Sequence, residues 1–311
     1  MLDVACVGVL CADVLVKPVD KLPPKGKLQL VSDIQMKLGG CAANAAIDLA
    51  HLGLQSAVIT QVGDDGFGRF LRETLSSEGV DISGLHLAPG VATSASVLPL
   101  SADGERTILH LLGSNAVFTE ADVDMGIVKK AKVLFVAGSF LMPRFDGEGA
   151  AALLQKARDH GVLCCLDTAW DATGAWMDKL GVCMPLLDWF LPSYEEAVEM
   201  SGETDPVCIA EKFIGMGSKN VVVKLGEKGC YVRPEQGEPF FSPGFKVDVL
   251  DTSGAGDSFC AGFIAGLVRG WPVETCACFA NAVGAHCVGA MGTTDGVKST
   301  EETLLFIQNQ S

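Results

Sequence analysis

Positive charge is scarce in this chain. Its 23 Lys and Arg residues stand against 38 Asp and Glu, a formal net charge of −15. That balance excludes a nucleic-acid partner, which needs a basic face to neutralise phosphates. It leaves room for a small anion held by backbone donors and a metal ion. Long apolar runs are missing too. No uninterrupted stretch approaches the ~20 residues that span a bilayer, and the opening Met1-Leu2-Asp3-Val4-Ala5-Cys6 carries no basic leader. No membrane partner and a cytoplasmic location are expected. Among the 12 cysteines there is no C-x-x-C pair; Cys164 and Cys165 are adjacent, and Cys276 and Cys278 flank one alanine. This spacing disfavours a zinc site or disulfide framework, and the thiols read as small buried hydrophobes in a reducing compartment. A Walker A loop is absent, since no Gly-Lys-Ser/Thr occurs. A dinucleotide fingerprint fails where Phe259 stands in place of its third glycine, which sets a dehydrogenase aside.

What is present suits one large α/β domain over residues 1–311: 49% of residues are hydrophobic and 20% charged. Apolar runs at 4–10, 57–62, 133–137, 162–167, 189–191 and 221–225 read as buried strands. Between them lie helical patterns. At 67–75, Phe67, Phe70, Leu71 and Leu75 share one face, and Thr119-Glu120-Ala121-Asp122 resembles a capping box opening a further helix. Such alternation implies a mostly parallel sheet covered on both faces. Two segments break the rhythm. Residues 13–36 hold Pro18, Pro23, Pro24 and Gly26 before a polar strand-like run at 28–36. Runs at 93–100 and 105–112 flank Ser101-Ala102-Asp103-Gly104, whose Asp-Gly is a hairpin signal. Both read as extra antiparallel strands standing off the main sheet. From about residue 251 the pattern is helical, with Gly262 and Gly266 one turn apart for close packing.

The segment richest in chemistry is Asp251-Thr252-Ser253-Gly254-Ala255-Gly256-Asp257-Ser258-Phe259. Gly254 and Gly256 permit a tight turn with its N–H groups aimed one way, and a helix starts immediately after. Such a turn holds an anion, including a phosphoryl group whose charge builds during transfer. Asp257 then sits beside the anion as a carboxylate able to accept a hydroxyl proton; without function it is a first-turn helix acid. A serine nucleophile at Ser258 lacks partners, because His286 is the one histidine downstream and has no carboxylate near it in sequence. A second segment, Gly39-Gly40-Cys41-Ala42-Ala43-Asn44-Ala45-Ala46, opens a helix ending near Gly53. Its glycines let a substrate approach the backbone, and Asn44 offers a donor and an acceptor to sugar hydroxyls. Its structural reading is a turn with Asn44 satisfied locally.

Together these segments resemble the ribokinase-like (PfkB) carbohydrate kinase family. Gly39, Gly40, Ala42, Asn44, Ala46, Gly53 and Gly63 match its N-terminal signature without a gap; Asp251, Thr252, Gly254, Ala255, Gly256, Asp257, Ala261 and Gly262 match its C-terminal one. The likeness runs from residue 4 to at least 292. It implies the α/β ribokinase-like fold, a mostly parallel central sheet with helices on both faces plus a small β-lid, the lid strands being inserted at about 13–36 and 91–112. It implies transfer of the γ-phosphate of ATP to a primary hydroxyl, with Asp257 as base and Gly254, Ala255 and Gly256 in the anion hole. Asp13, Gly40 and Asn44 would bind substrate. Ser193 replaces the usual Asn of the family's Asn-x-x-Glu motif, and Glu196 would organise Mg2+ through water. Lys224, Gly226 and Gly229 lie where the family binds nucleotide, and Asn281 where it contacts adenine. Asp251, Ser253, Ala290 and Gly292 fall where many members hold a monovalent cation such as K+. The lid also implies a homodimer. Cys11 stands where ribokinases carry Asn, and Cys41 where ribokinases and phosphosugar kinases often carry Lys; the loss of that cation argues against a phosphorylated sugar. A neutral sugar is expected first and a nucleoside second. The rival reading from another class is a sugar- or nucleotide-binding regulator without catalysis on the same fold.

Overall fold

A computed structural model describes residues 2–101 and 107–310. β1 (Val4–Gly8) leads through Val9 and Leu10 into β2 (Cys11–Lys17), and β3 (Asp33–Gly39) runs through Gly40 into α1 (Cys41–His51). Then come β4 (Ser56–Val62), α2 (Gly66–Ser77), β5 (Asp81–Leu87), β6 (Ala95–Pro99) and β7 (Leu109–Leu111). The middle of the chain forms α3 (Met125–Val128), β8 (Val133–Ser139), α4 (Glu148–Arg158), β9 (Leu163–Thr168) and α5 (Trp176–Leu180). Next follow β10 (Trp189–Phe190), α6 (Tyr194–Ser201), α7 (Pro206–Gly215), β11 (Val221–Lys224), β12 (Cys230–Arg233) and β13 (Phe240–Ser242). Three helices close the chain: α8 (Ala255–Val268), α9 (Val273–Val288) and α10 (Thr300–Gln310).

Nine strands form the main sheet in the order β13-β12-β11-β10-β9-β8-β1-β4-β5. The strands from β5 through β11 are parallel; β12 and β13 add an antiparallel edge. Successive residues of a buried strand feed opposite cores, as the two-residue side-chain period requires. Val4 and Cys6 join one core with α1, α2, α8 and α9, whereas Ala5 and Val7 join the other with α3, α4, α6 and α7. Gly262 and Gly266 of α8 face Ala280 and Cys276 of α9, so the small-residue pattern is a helix-packing seam. All twelve cysteines are free thiols, nine of them buried, and they pack as the small hydrophobes expected. Among the described residues no helix is long and apolar enough to cross a membrane.

Four strands stand off this body as a second sheet, β3-β2-β6-β7. It is mixed rather than wholly antiparallel: β2 pairs with β6 in parallel, because the intervening chain first crosses through β4 and β5 of the main sheet. β3 begins at Asp33 rather than 28, and residues 28–32, including the exposed Leu28 and Leu30, are outside any strand. The Asp103-Gly104 turn lies outside the described residues, although the arms it would join do pair, Ala95 with Leu111 and Val97 with Leu109. The capping box at Thr119 and Asp122 forms, but it opens only a 3-10 turn at Glu120–Asp122. The chain bends again at Asp124, which caps α3.

Candidate active site

From β1 the chain moves to β4 and β5 on one side of the main sheet, and β8 to β11 lie on the other. The crevice outside the carboxyl ends near β1 and β8 is therefore a topological switch point, where open α/β sheets bind ligands. The N-terminus of α8 closes onto this edge. Gly254 is its N-cap at φ 76°, and a Cβ there would lie 2.2 Å from the Thr293 carbonyl oxygen, so only glycine fits. The N–H groups of Ala255, Gly256 and Asp257 follow as the first of the helix, without intrahelical acceptors.

Asp257 stands in that first turn. The Asn44 amide donates to its Oδ2 at 2.8 Å, and the Thr293 hydroxyl donates to Asn44 Oδ1 at 2.9 Å. The Cys41 thiol neighbours the same carboxylate. Asn44 and Cys41 reach it because α1 starts immediately after Gly40, whose φ is 103° and whose Cβ would lie 2.4 Å from the Val9 carbonyl oxygen. Asn44 thus touches the carboxylate directly. Burial pushes the Asp257 carboxyl upward in pKa, against the opposing pull of Asn44, the Lys224 charge and Cys41.

The ends of β9, β10 and β11 supply the rest. Lys224, nearly buried at the end of β11, donates to Asp167 Oδ2 at 2.7 Å. Its Nζ also lies 3.4 Å from the position a Cβ on Gly256 would take, so the ammonium sits at the mouth of α8. Burial opposes its charge, but Asp167, Cys260 and Glu196 outweigh it and hold its pKa above the usual lysine value. Ser193 bridges to Lys224 and caps α6. Glu196 accepts from the Thr168 hydroxyl at 2.8 Å and from the Ser193 N–H at 3.4 Å. Burial raises the pKa of both Asp167 and Glu196, with Lys224 working against it in each case.

The small sheet has two unlike faces. Cross-strand register lines up Lys37, Asp13, Ser96 and His110 from β3, β2, β6 and β7 in one row. Ser96 Oγ and His110 Nδ1 are 3.1 Å apart, and the Cys11 thiol donates to Asp13 Oδ1 at 3.4 Å. Lys37 reaches Asp295 at 3.3 Å, in the loop after α9, and shares a cleft with Met291 and Gly292. This polar face therefore borders the α8–α9 end of the crevice. The opposite row, Met36, Val14, Val97 and Leu109, is apolar; with Ile34 and Leu111 it leaves large hydrophobic side chains exposed.

The remaining expected residues form two groups. Asp251 accepts from the Ser253 N–H at 2.9 Å and from the Gly292 N–H at 3.1 Å, which brings three of the four suggested cation positions together; Ala290 donates instead to Cys287 O. Gly226 and Gly229 bracket a 3-10 turn after β11. Asn281 donates to Ser242 Oγ at 3.0 Å and Pro243 O at 3.1 Å, pinning the chain after β13. Asp167, Thr168, Ser96, His110 and Asp48 were not singled out from sequence. Asp167 and Asp48 left a trace there, each being a lone acid in an otherwise apolar strand or helix face. No such signal marks the others.

The chain is similar to known proteins over nearly its whole length. The model of the pfkB family carbohydrate kinase matches residues 1–300. The 2-dehydro-3-deoxygluconokinase of Bacillus subtilis is 29% identical, over 92% of this chain and 91% of its own. The 5-dehydro-2-deoxygluconokinase of Geobacillus thermodenitrificans is 26% identical, over 99% and 94% respectively. The crystal structure of ribokinase from Thermotoga maritima superposes with a TM-score of 0.85 at 26% identity, covering 99% of this chain and 100% of that one.

Proposed function

Because the chain belongs to the pfkB family of carbohydrate kinases, we propose that it moves the γ-phosphoryl group of ATP to a primary hydroxyl of a neutral sugar. The observation that carries this reading is the pairing of Asp257 with an anion site: a carboxylate held at 2.8 Å by Asn44 stands at the N-terminus of α8, beside the Lys224 ammonium. The acceptor hydroxyl lies against Asp257 Oδ and gives up its proton there as its oxygen bonds to phosphorus. ADP departs as the bond to its β-phosphate breaks. Charge on the transferring group meets the N–H groups of 255–257 and Lys224, both already oriented. Gly226 lets the nucleotide approach the backbone after β11; Gly229 lets that turn pack closely on the Ser242 carbonyl, and Asn281 shapes the neighbouring loop.

Asp167, Glu196 and Asp257 converge on a single ammonium, Lys224, so the pocket carries an excess of negative charge that suits a cation. Mg2+ there would be held through water and phosphate oxygens. When bound, that ion neutralises the triphosphate. Glu196 orients its water shell, and Ser193 holds Glu196. Glu196→Gln should therefore raise the Mg2+ concentration for half-maximal rate roughly tenfold. An unchanged Mg2+ titration would reduce Glu196 to a helix-capping acid. The loops carrying Asp251, Ser253, Ala290 and Gly292 are the proposed site for K+.

The small sheet is the lid, its polar row turned to the substrate so that closure excludes water. Lys17 and Lys37 on that face pair with Asp33 and Asp295. The exposed apolar face fits a second copy of the chain, lid to lid. Asp13→Ala should raise the acceptor KM roughly tenfold or more, since a lost hydrogen bond to a charged group costs ~1.5–3 kcal/mol. Its ATP KM should stay put. Asn44→Ala should lower kcat as well, because Asn44 also holds Asp257. Weakened ATP binding with an untouched acceptor KM in Asp13→Ala would mean the two subsites are assigned backwards. The direct test of function is a phosphorylation screen with MgATP over ribose, fructose, dehydro-deoxygluconates and nucleosides. Turnover of none of them would favour a binding protein.

A further inference from the structure

Helix α1 carries two polar side chains among the apolar residues of its buried face, Asn44 and Asp48, one turn apart and so on one line. Both reach the first turn of α8, at consecutive residues. Asn44 donates to Asp257, and Asp48 Oδ2 accepts from the Ser258 hydroxyl at 2.7 Å. Asp48 is wholly buried and its Oδ1 has no hydrogen-bond partner. No cation pairs with it among the described residues. A buried carboxyl with one hydrogen bond costs folding energy that the neighbouring Ala45, Ala46 and Leu49 do not. Packing alone gives no reason for an acid at this point.

The Cys287 thiol of α9 lies 3.4 Å from the carbonyl oxygens of both Ser253 and Thr293. Thr293 in turn donates to Asn44. These contacts lie behind the 254–257 turn, and α1 enters them twice.

We propose that Asp48 is a positioning residue, which through Ser258 fixes the first turn of α8 and so the direction in which Asp257 faces the acceptor. This rests on the reading of Asp257 as base. Burial drives the Asp48 carboxyl well above the usual range, against the pull of Ser258, and the Asp257 charge adds to the rise. Buried without a cation and with one oxygen unpartnered, the carboxyl favours its neutral form, which would set no like charge beside the base.

The test measures kcat, both KM values and thermal unfolding for Asp48→Leu, Asp48→Asn and Ser258→Ala. Misaligning a reacting group by a fraction of an ångström lowers kcat roughly ten- to a hundredfold, and that loss is expected in Asp48→Leu and Ser258→Ala. Their KM values should stay within about twofold. Asp48→Asn, which keeps an oxygen for Ser258, should recover most of the loss. The acid limb of kcat/KM should stay where it is in Asp48→Asn, because a neutral carboxyl is exchanged for a neutral amide and the other groups around Asp257 are untouched: Asn44 and Cys41 from α1, Cys11 from β2, Asp167 from β9, Glu196 from α6, Lys224 from β11, Cys260 from α8 and Cys287 from α9.

Wild-type kcat in folded Asp48→Leu overturns the proposal, as does Asp48→Asn falling as far as Asp48→Leu. A shift of the acid limb to lower pH in Asp48→Asn would show a charged Asp48, and likewise overturns it. Should Asp48→Leu not fold, Ser258→Ala decides by the same kcat measurement. If Asp257→Asn keeps full turnover, it is the base assignment that fails. An inactive Asp257→Asn beside a fully active Asp48→Leu removes the positioning role alone.

Discussion

Asp257→Asn is expected to bind ATP about as well as the wild type while kcat falls by roughly 10²–10⁴. The amide keeps the size of the carboxylate at the mouth of α8 but has no charge with which to take the hydroxyl proton. Isothermal titration with ATP and steady-state turnover separate the two effects. A variant that turns over at nearly the wild-type rate would leave the proton to solvent, and Asp257 would be a helix-end acid. The wild-type pH profile provides a second check. Burial raises the Asp257 pKa, and the base works only when deprotonated. Activity should therefore fall on the acid side through a pKa above the ordinary ~3.9 of an aspartate.

Lys224→Met should damage both stability and chemistry. The Lys224–Asp167 pair is nearly dry on both sides, and removing one partner of a buried pair typically costs ~3–5 kcal/mol. The same change takes the cation from the mouth of α8, so kcat should drop beyond what unfolding explains. Asp167→Asn added to Lys224→Met relieves the unpaired charge. The double variant is expected to regain much of its melting temperature and none of its turnover. Recovery of both together would make the lysine a structural counter-ion only.

The six apolar runs each became a strand of the main sheet because, with helices on both faces, such strands are apolar throughout. β5 escaped notice since it lies at the sheet edge and alternates Asp81, Ser83 and His86 with apolar neighbours; β12 and β13 are short pieces of the other edge. In the site, glycine and aspartate marked the α8 turn by local chemistry alone. Lys224 and Asp167 meet across 57 residues. Only the adjacency of strand ends through β10 brings them together, and local spacing carries no trace of that. The same holds for the Lys37, Asp13, Ser96 and His110 row, which exists by virtue of register. Asn44 drew attention as a sugar-binding group, yet its amide nitrogen turned toward Asp257, a partner 213 residues away.

The two shortest links between the sheets, Val9-Leu10 and Gly40, pass in van der Waals contact, close enough that a Cβ on Gly40 would strike Val9 and Leu10. In the lid closure proposed above, this crossing is the point about which the small sheet would turn. Asp13 rides on the moving side of that pivot; Asn44 and Asp257 belong to the stationary side. On that proposal, an acceptor bonded to Asp13 and Asn44 at once would find its contacts complete in one angular state only, and its binding free energy would supply the torque that shuts the site.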